Sequence, residues 1–431
     1  MFLQKVEAEN HTECEQGGEY VKVLLSAYAC EPNRGSEAAD GWHWAKQMAR
    51  FHDVWVITRA NNKKVIEGEI DHIGLDHVHW LYVDLPRWAR FWKRGAIGTE
   101  IYYFLWQLMA YLYVKHTNRR EQFDLVHHVT FGRYWVPSFM SLLPIPFVWG
   151  PVGGGEETPS GFLSTFSTAG WTYELFRSKS RFVAHTFPFL RLTAKRAKIS
   201  FATTSQTADK LSRLGARKVV VHPQYFLEKE QLDYFGKFPV RTQKPVRFLS
   251  MGRLVHWKGH HLALQAFAKA VQSCPDCEYW LTSDGPERKR LEHLAEKLDI
   301  ADRVRFWGHL PSLHDVYEKL AQSDVLLHPA LHEAFGNACL EALAAGRPVI
   351  CLDWGGPALQ VTDETGVRIY PVTPEQVVDD MAFAMASLAR DHQLRMHMGT
   401  EARKRACGFF NWDDKGDQMS KIYNEVAGKH R

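Results

Sequence analysis

Short runs of β-branched and apolar residues alternate with helical stretches along this chain, and that alternation leaves few folds open. In the first half the runs are Val21–Ala27, Val54–Thr58, Val78–Val83, Leu125–Val129, Pro146–Trp149, Ile199–Thr203 and Val219–His222. In the second half they are Val246–Ser250, Tyr279–Thr282, Val304–Trp307, Val325–His328, Val349–Leu352 and Val367–Tyr370. Strands this apolar suit parallel sheets, whose crossover helices cover both faces. Between the two sets, Leu227 to Pro245 is polar and reads as a loop, so few apolar residues there would tie the halves together. The chain therefore reads as α/β, with two doubly wound parallel sheets facing each other across a cleft. Open α/β sheets bind ligands beyond the carboxyl ends of their strands, which is where that cleft lies. The expected layout is a mobile tail over 1–20, a first domain over 21–230, a linker over 231–245 and a second domain over 246–410. Residues 411–431 are expected to form a helix that packs back toward the first domain.

Composition narrows the class further. A chain of 431 residues can bury two or three cores, and its 45% hydrophobic and 24% charged content is that of an ordinary globular protein. The net charge of +4 is too small to argue for nucleic acid, and no recognition motif accompanies it. The longest apolar stretch, Ile101 to Val114, is too short to span a bilayer and contains Gln107. The acidic N-terminus (Glu7, Glu9, Glu13, Glu15, Glu19) lacks the basic-then-apolar layout of a secretory leader. Seven scattered cysteines in mostly apolar contexts fit a reducing cytoplasm. Cys274 and Cys277 have CxxC spacing, but no second Cys or His pair stands at zinc-ligand distance.

Two segments of the second half carry chemistry. Glu333 and Glu341 bracket a small glycine-containing turn, Ala334-Phe335-Gly336-Asn337, that opens a helix ending at Ala-Ala-Gly346. A helix N-terminus presents unpaired N–H groups and partial positive charge, so it suits a diphosphate. Eight helical residues advance roughly 12 Å, so the two carboxylates could meet different hydroxyl-bearing parts of a long ligand. The plainer reading is an amphipathic helix with one capping and one exposed glutamate. Upstream, Gly252-Arg253 and Lys258-Gly259 follow a strand and precede a helix. Two cations five residues apart suit clamping a diphosphate, although a solvated basic loop has the same composition.

Together these segments resemble the family-4 retaining glycosyltransferases of the GT-B fold, in which two Rossmann-like domains face each other. The resemblance rests on Gly252-Arg253…Lys258-Gly259, Asp284-Gly285-Pro286, Val304–Gly308, Pro329 through Glu333 and Glu341 to Ile350, and Gly355-Gly356. Weaker likeness in the first half, through Ala29–Glu37 and Gly150–Glu156, resembles a bacterial subgroup that assembles surface polysaccharides. The resemblance implies that Arg253 and Lys258 neutralise the donor diphosphate and stabilise the leaving group. It implies that Glu333 holds donor-sugar hydroxyls, that Ala334, Phe335, Gly336 and Asn337 approach the sugar or phosphate, and that Glu341 takes the ribose. Gly252 would lie against the donor, and Gly308, His309 and Leu310 would contact the base. One departure is Ser283, where the family usually has glycine.

In the first half, a histidine at the end of the Leu125–Val129 strand is implied near the anomeric centre. Neighbouring strand residues point to opposite faces, so one of His127 and His128 would face the cleft, and His128, nearer the strand end, is preferred. Gly35 is expected at the donor phosphate, with Ser36, Glu37, Gly154 and Glu156 at the acceptor; a structural turn reads equally well for 153–156. No Asp-x-Asp occurs, which fits a metal-independent departure with no cofactor, the Arg/Lys pair and a helix N-terminus doing an ion's work. The implied donor is a UDP- or GDP-linked sugar, and the implied reaction is same-face attack by an acceptor hydroxyl.

Leu85 to Arg94 interleaves cations with aromatics, and Phe176 to Lys198 is dense in Lys and Arg and has no acid. Such segments suit an anionic membrane surface and hence a polyprenyl-diphosphate-linked glycan acceptor, with the enzyme cytoplasmic and peripheral on the inner face. A basic solvated face plus a buried aromatic helix is the alternative. At the level of function, a sugar-nucleotide 2-epimerase or a non-catalytic partner subunit would share this architecture.

Overall fold

The computed structural model describes residues 20–32, 37–75, 78–89 and 95–429. Expectations for the 1–19 tail, for Gly35 and Ser36, and for the cations at 90–94 lie outside the described residues. Seven strands form the first sheet: β1 (Lys22–Ser26), β2 (Asp53–Arg59), β3 (Val78–Val83), β4 (Leu125–His128), β5 (Phe147–Val152), β6 (Ala197–Ala202) and β7 (Val219–Val221). Six form the second: β8 (Val246–Met251), β9 (Cys277–Thr282), β10 (Val304–Gly308), β11 (Val325–His328), β12 (Val349–Leu352) and β13 (Gly366–Ile369). The orders are β3-β2-β1-β4-β5-β6-β7 and β10-β9-β8-β11-β12-β13, and the paired strands run parallel. Each order reverses once, between β1 and β4 and between β8 and β11. Those two switch points are the crevices where doubly wound sheets bind ligands, and this is the GT-B arrangement. β4 is buried along its whole length, as are β11 and β12, and burial on both faces accounts for the apolar runs of β11 and β12.

Three stretches outside the strands bear on how the two halves join. Lys229–Gly236, within the stretch that reads as a loop, is a helix. A capping box between Glu228 and Gln231 starts it. Its Phe235 packs edge-on against Tyr317 with ring centroids 4.8 Å apart, so the aromatic residues of this segment tie it to the second domain. The C-terminal helix, Trp412–Ala427, lies on the first domain. Trp412 meets Trp44, and Tyr423 meets His127. Lastly, the connection between β5 and β6 leaves the first domain: Phe162 and Phe166 join the apolar core of the second. The Gly95–Glu121 helix contains the aromatic stretch, with Tyr102, Tyr103 and Trp106 fully buried under the first sheet. No helix among the described residues is long and apolar enough to cross a membrane.

Ser283 occupies a backbone φ of +82° just after β9, and its N–H donates to the Gly308 carbonyl at 2.7 Å. A side chain in this left-handed region costs about 1 kcal/mol relative to glycine. Ser283→Gly is therefore expected to raise the melting temperature by a few degrees without altering ligand affinity, as measured by calorimetry.

Candidate functional site

At the end of β8 the chain turns at Gly252, whose φ of +132° is open to glycine and leaves room for the Lys258 amine 3.8 Å from where a Cβ would stand. Lys258 closes a short 3₁₀ turn, and its amine is ion-paired to Glu333 Oε2. His328, the last residue of β11, brings Nε2 to 3.6 Å from the same oxygen. Burial would push the Glu333 carboxyl up, but the Lys258 charge and the His328 contact outweigh it and hold the group well below the usual carboxylate range. Gly336, at φ +87°, then caps the Asn337–Ala344 helix. Phe335, Gly336 and Asn337 line a cleft of about 350 Å³ together with Gly252, Lys258, His328, Glu333 and Ala334. The cleft thus joins an ion pair to a helix start.

The opposite wall comes from the first domain. Glu37 and Asp40, one turn apart at the start of the Glu37–Ala49 helix, line the same cleft with Gln224 and Tyr225. Glu37 Oε1 accepts from the Gly132 N–H at 2.8 Å. Asp40 Oδ2 accepts from Gln224 Nε2 at 3.0 Å, while Oδ1 is buried without a partner among the described residues. Burial pushes both carboxyls up, Asp40 well above its ordinary value. Asp40 and Gln224 escaped the sequence reading. The available signal was the three-residue spacing from Glu37, which puts both carboxylates on one helix face.

Other expected site residues sit elsewhere. Arg253 is exposed, and its side chain has no partner among the described residues. Gly308, His309 and Leu310 lie at the end of β10, outside the cleft lining. Glu341 receives the Tyr317 hydroxyl at 3.1 Å, one turn along its helix and outside that lining.

The histidine expectation meets a different geometry, because both β4 histidines are buried and bonded within the first domain's core. His127 Nδ1 meets the Tyr423 hydroxyl at 2.5 Å, and its Nε2 meets the Gly150 carbonyl. His128 Nδ1 meets Ser138 Oγ at 2.9 Å, and Nε2 lies 3.4 Å from the Tyr103 hydroxyl. Neither lines the cleft; a helix covers each face of a central strand, so neither alternating face is free. Burial lowers the His128 imidazole to about 4. Glu156 is likewise spent on structure. Its Oε1 accepts from Thr204 at 2.6 Å and Thr207 at 2.7 Å, and its Oε2 from the Gly154 N–H at 2.9 Å. Gly154 packs against Trp135 so closely that a Cβ would fall 2.3 Å from the ring.

The family model "Glycosyl transferases group 1" matches residues 235–405, and "Glycosyl transferase 4-like domain" matches 41–224. The chain carries a group 1 glycosyltransferase domain preceded by a glycosyltransferase 4-like domain. It is 33% identical over 179 residues to a lipopolysaccharide core biosynthesis glycosyltransferase, LpsE, of Rhizobium meliloti, covering 41% of this chain and 48% of that protein. It is 29% identical over 181 residues to an alpha-D-kanosaminyltransferase of Streptomyces kanamyceticus, covering 42% and 45%. The matched stretch thus spans about half the length or less of these curated relatives. Among solved structures, a glycosyltransferase from Rickettsia africae superposes with a TM-score of 0.61 at 15% identity, covering 95% of this chain and 100% of that one. Anabaena HepE in complex with UDP gives 0.60 at 17%, covering 94% and 100%. These likenesses show one two-domain fold over nearly the whole chain.

Glu341 yields a prediction that is independent of any ligand. Burial raises its carboxyl from 4.5 to about 7, partly offset by the Tyr317 hydrogen bond. A raised acid favours the folded state below its unfolded pKa and loses that contribution as pH climbs through 7. Glu341→Gln keeps the acceptor oxygen and removes the buried charge. It is expected to stabilise the protein by up to about 3 kcal/mol at pH 8 and very little at pH 4, read from denaturant midpoints.

Proposed function

We propose that this chain transfers a sugar from a UDP- or GDP-linked donor to a hydroxyl of a glycan acceptor, with retention of configuration, in bacterial cell-surface polysaccharide synthesis. The observation that carries the reading is the Lys258–Glu333 pair beside a helix start, at the switch point of the second sheet. The cation and the helix N-terminus suit a diphosphate, and the carboxylate suits sugar hydroxyls. Arg253, exposed and unpaired among the described residues, is free to swing onto the same diphosphate, and the pair of cations takes the role a divalent ion has elsewhere. Glu341 then accepts from the ribose, Gly308 to Leu310 approach the base, and Glu37 and Asp40 face the acceptor. The similarity to lipopolysaccharide-core glycosyltransferases and to UDP-bound HepE supports the donor and pathway class.

A nucleotide-release screen across UDP-, GDP- and ADP-sugars, with and without a lipid-linked oligosaccharide fraction, tests this reading. Acceptor-dependent release of UDP or GDP is expected; release of an epimerised nucleotide sugar without acceptor would instead make the chain a 2-epimerase. Glu333→Ala is expected to lower turnover by roughly a hundredfold or more while changing nucleotide diphosphate affinity only a few-fold. Collapse of UDP affinity with turnover intact would remove Glu333 from the sugar.

The acceptor is proposed to be a glycan on polyprenyl diphosphate, held at the inner face of an anionic membrane by a cytoplasmic, peripheral enzyme. The Thr168–Thr186 helix turns Trp171, Phe176, Phe182 and Val183 to solvent, with Phe176 75% and Phe182 74% exposed. Lys179, Arg191, Lys195 and Lys198 are exposed on the same stretch, so aromatics can sit at headgroup depth while cations meet phosphates. Replacing Phe176 and Phe182 together by Ser is expected to cut co-sedimentation with phosphatidylglycerol vesicles roughly tenfold and to leave UDP affinity unchanged.

A further inference from the structure

The Thr168–Thr186 helix also has an inner face, and it reaches the donor loops from the first domain. Gly170, Glu174, Arg177 and Arg181 follow one another along it at helical spacing. Gly170 lies against the His256 ring, where a Cβ would come within 2.8 Å. Glu174 is buried, and its Oε1 accepts from two imidazoles of the second domain, His256 Nε2 at 3.1 Å and His332 Nε2 at 2.9 Å. Its Oε2 lies 3.2 Å from the Arg177 guanidinium. Trp257 stacks near-parallel on His332 (5.3 Å, 14°) and on Tyr173 (5.3 Å, 16°), which adds an aromatic layer to the same contact.

The two histidines are not arbitrary neighbours. His332 directly precedes Glu333, and His256 opens the three-residue turn that Lys258 closes. Lys258 and Glu333 are the ion pair of the cleft, and they come from loops 75 residues apart. One carboxylate from the opposite domain therefore holds the roots of both loops. Burial alone would raise the Glu174 carboxyl, but the two imidazoles and Arg177 hold it well below the usual range, so it stays an anionic acceptor. Removing it would leave two buried ring N–H groups unpaired and both loops free to drift.

We infer that Glu174 is a positioning residue: from the first domain it sets the spacing of the Lys258 and Glu333 loops, and so couples the seating of the Thr168–Thr186 helix to turnover at the donor site. The link to turnover rests on the function proposed above; the link to loop geometry does not.

The test compares Glu174→Ala, Glu174→Gln and Arg177→Ala in the full chain. Arg177 contacts Glu174 and the Glu156 carbonyl but neither histidine, so it controls for loss of helix packing. With UDP-glucose and GDP-mannose as donor probes, Glu174→Ala should lower nucleotide release roughly tenfold or more, because small misplacements of reacting groups are costly. UDP affinity by calorimetry should change by less than about threefold, and Glu174→Gln, which keeps an acceptor oxygen, should recover part of the loss. Arg177→Ala should stay near wild type. Hydrogen exchange supplies a readout that needs no activity: Glu174→Ala should speed exchange in 252–258 and 330–337 together, with the rest of the second sheet unchanged. Wild-type turnover in Glu174→Ala, or an equal loss in Arg177→Ala, would overturn the turnover link. Unchanged exchange in the two loops would overturn the positioning role itself. A wild-type protein that releases nucleotide from no donor, yet shows the two-loop exchange effect, would sink the proposed function and leave the positioning role standing.

Discussion

Parallel strands all end at the same edge of a sheet, and the helices that follow them begin there. Everything in this protein that could handle an anionic ligand depends on that constraint. Where each strand order reverses, the flanking loops part and leave a crevice. Here the reversals fall between β1 and β4 in one sheet and between β8 and β11 in the other. The loops after β8 and β11 carry Lys258 and Glu333, and the helix after β1 carries Glu37 and Asp40. Two crevices facing each other make a single cleft with a charged wall and a carboxyl wall.

The charged wall is nearly self-neutral. Lys258, Glu333 and His328 share one contact, so a ligand entering the cleft meets a lysine already engaged by a carboxylate. A diphosphate would compete with Glu333 for that lysine, and a sugar hydroxyl would compete with the lysine for Glu333. The pair thus offers a cation to an anion and a carboxylate to a hydroxyl from one point of the cleft. The Thr168–Thr186 helix lies behind both loops, held by Glu174 on one face and exposing its aromatics on the other. Its position connects the outer surface of the first domain to the inner surface of the second.

The fold was largely legible in the sequence. Strands such as Val325–His328 and Val349–Leu352 are apolar throughout because helices cover both their faces, and that leaves a continuous run to read. The second-domain loops were legible for a related reason: glycines at 252 and 336 sit at positive φ, where a side chain is strained, so they mark the turns. Lys229–Gly236 was not legible, because its few apolar residues pack on Tyr317 of another domain rather than showing a repeat of their own. The first-domain wall was the hardest part. His128 and Glu156 have the chemistry of site residues, but they are bonded to Ser138 and to Thr204 and Thr207, partners distant in sequence or in role.

The sequence by itself determined two doubly wound sheets, the cation and carboxylate loops of the second domain, and resemblance to a family whose motifs are local. Each of these rests on spacing within one strand–loop–helix unit, which a linear chain displays directly. Only the tertiary structure decided that Asp40 and Gln224 face Glu333 and that His128 stays in the core. It also decided that Glu174 reaches from the first domain to His256 and His332. Glu174 meets its histidines 82 and 158 residues away, and Asp40 meets Gln224 184 residues away, where no local periodicity carries a signal.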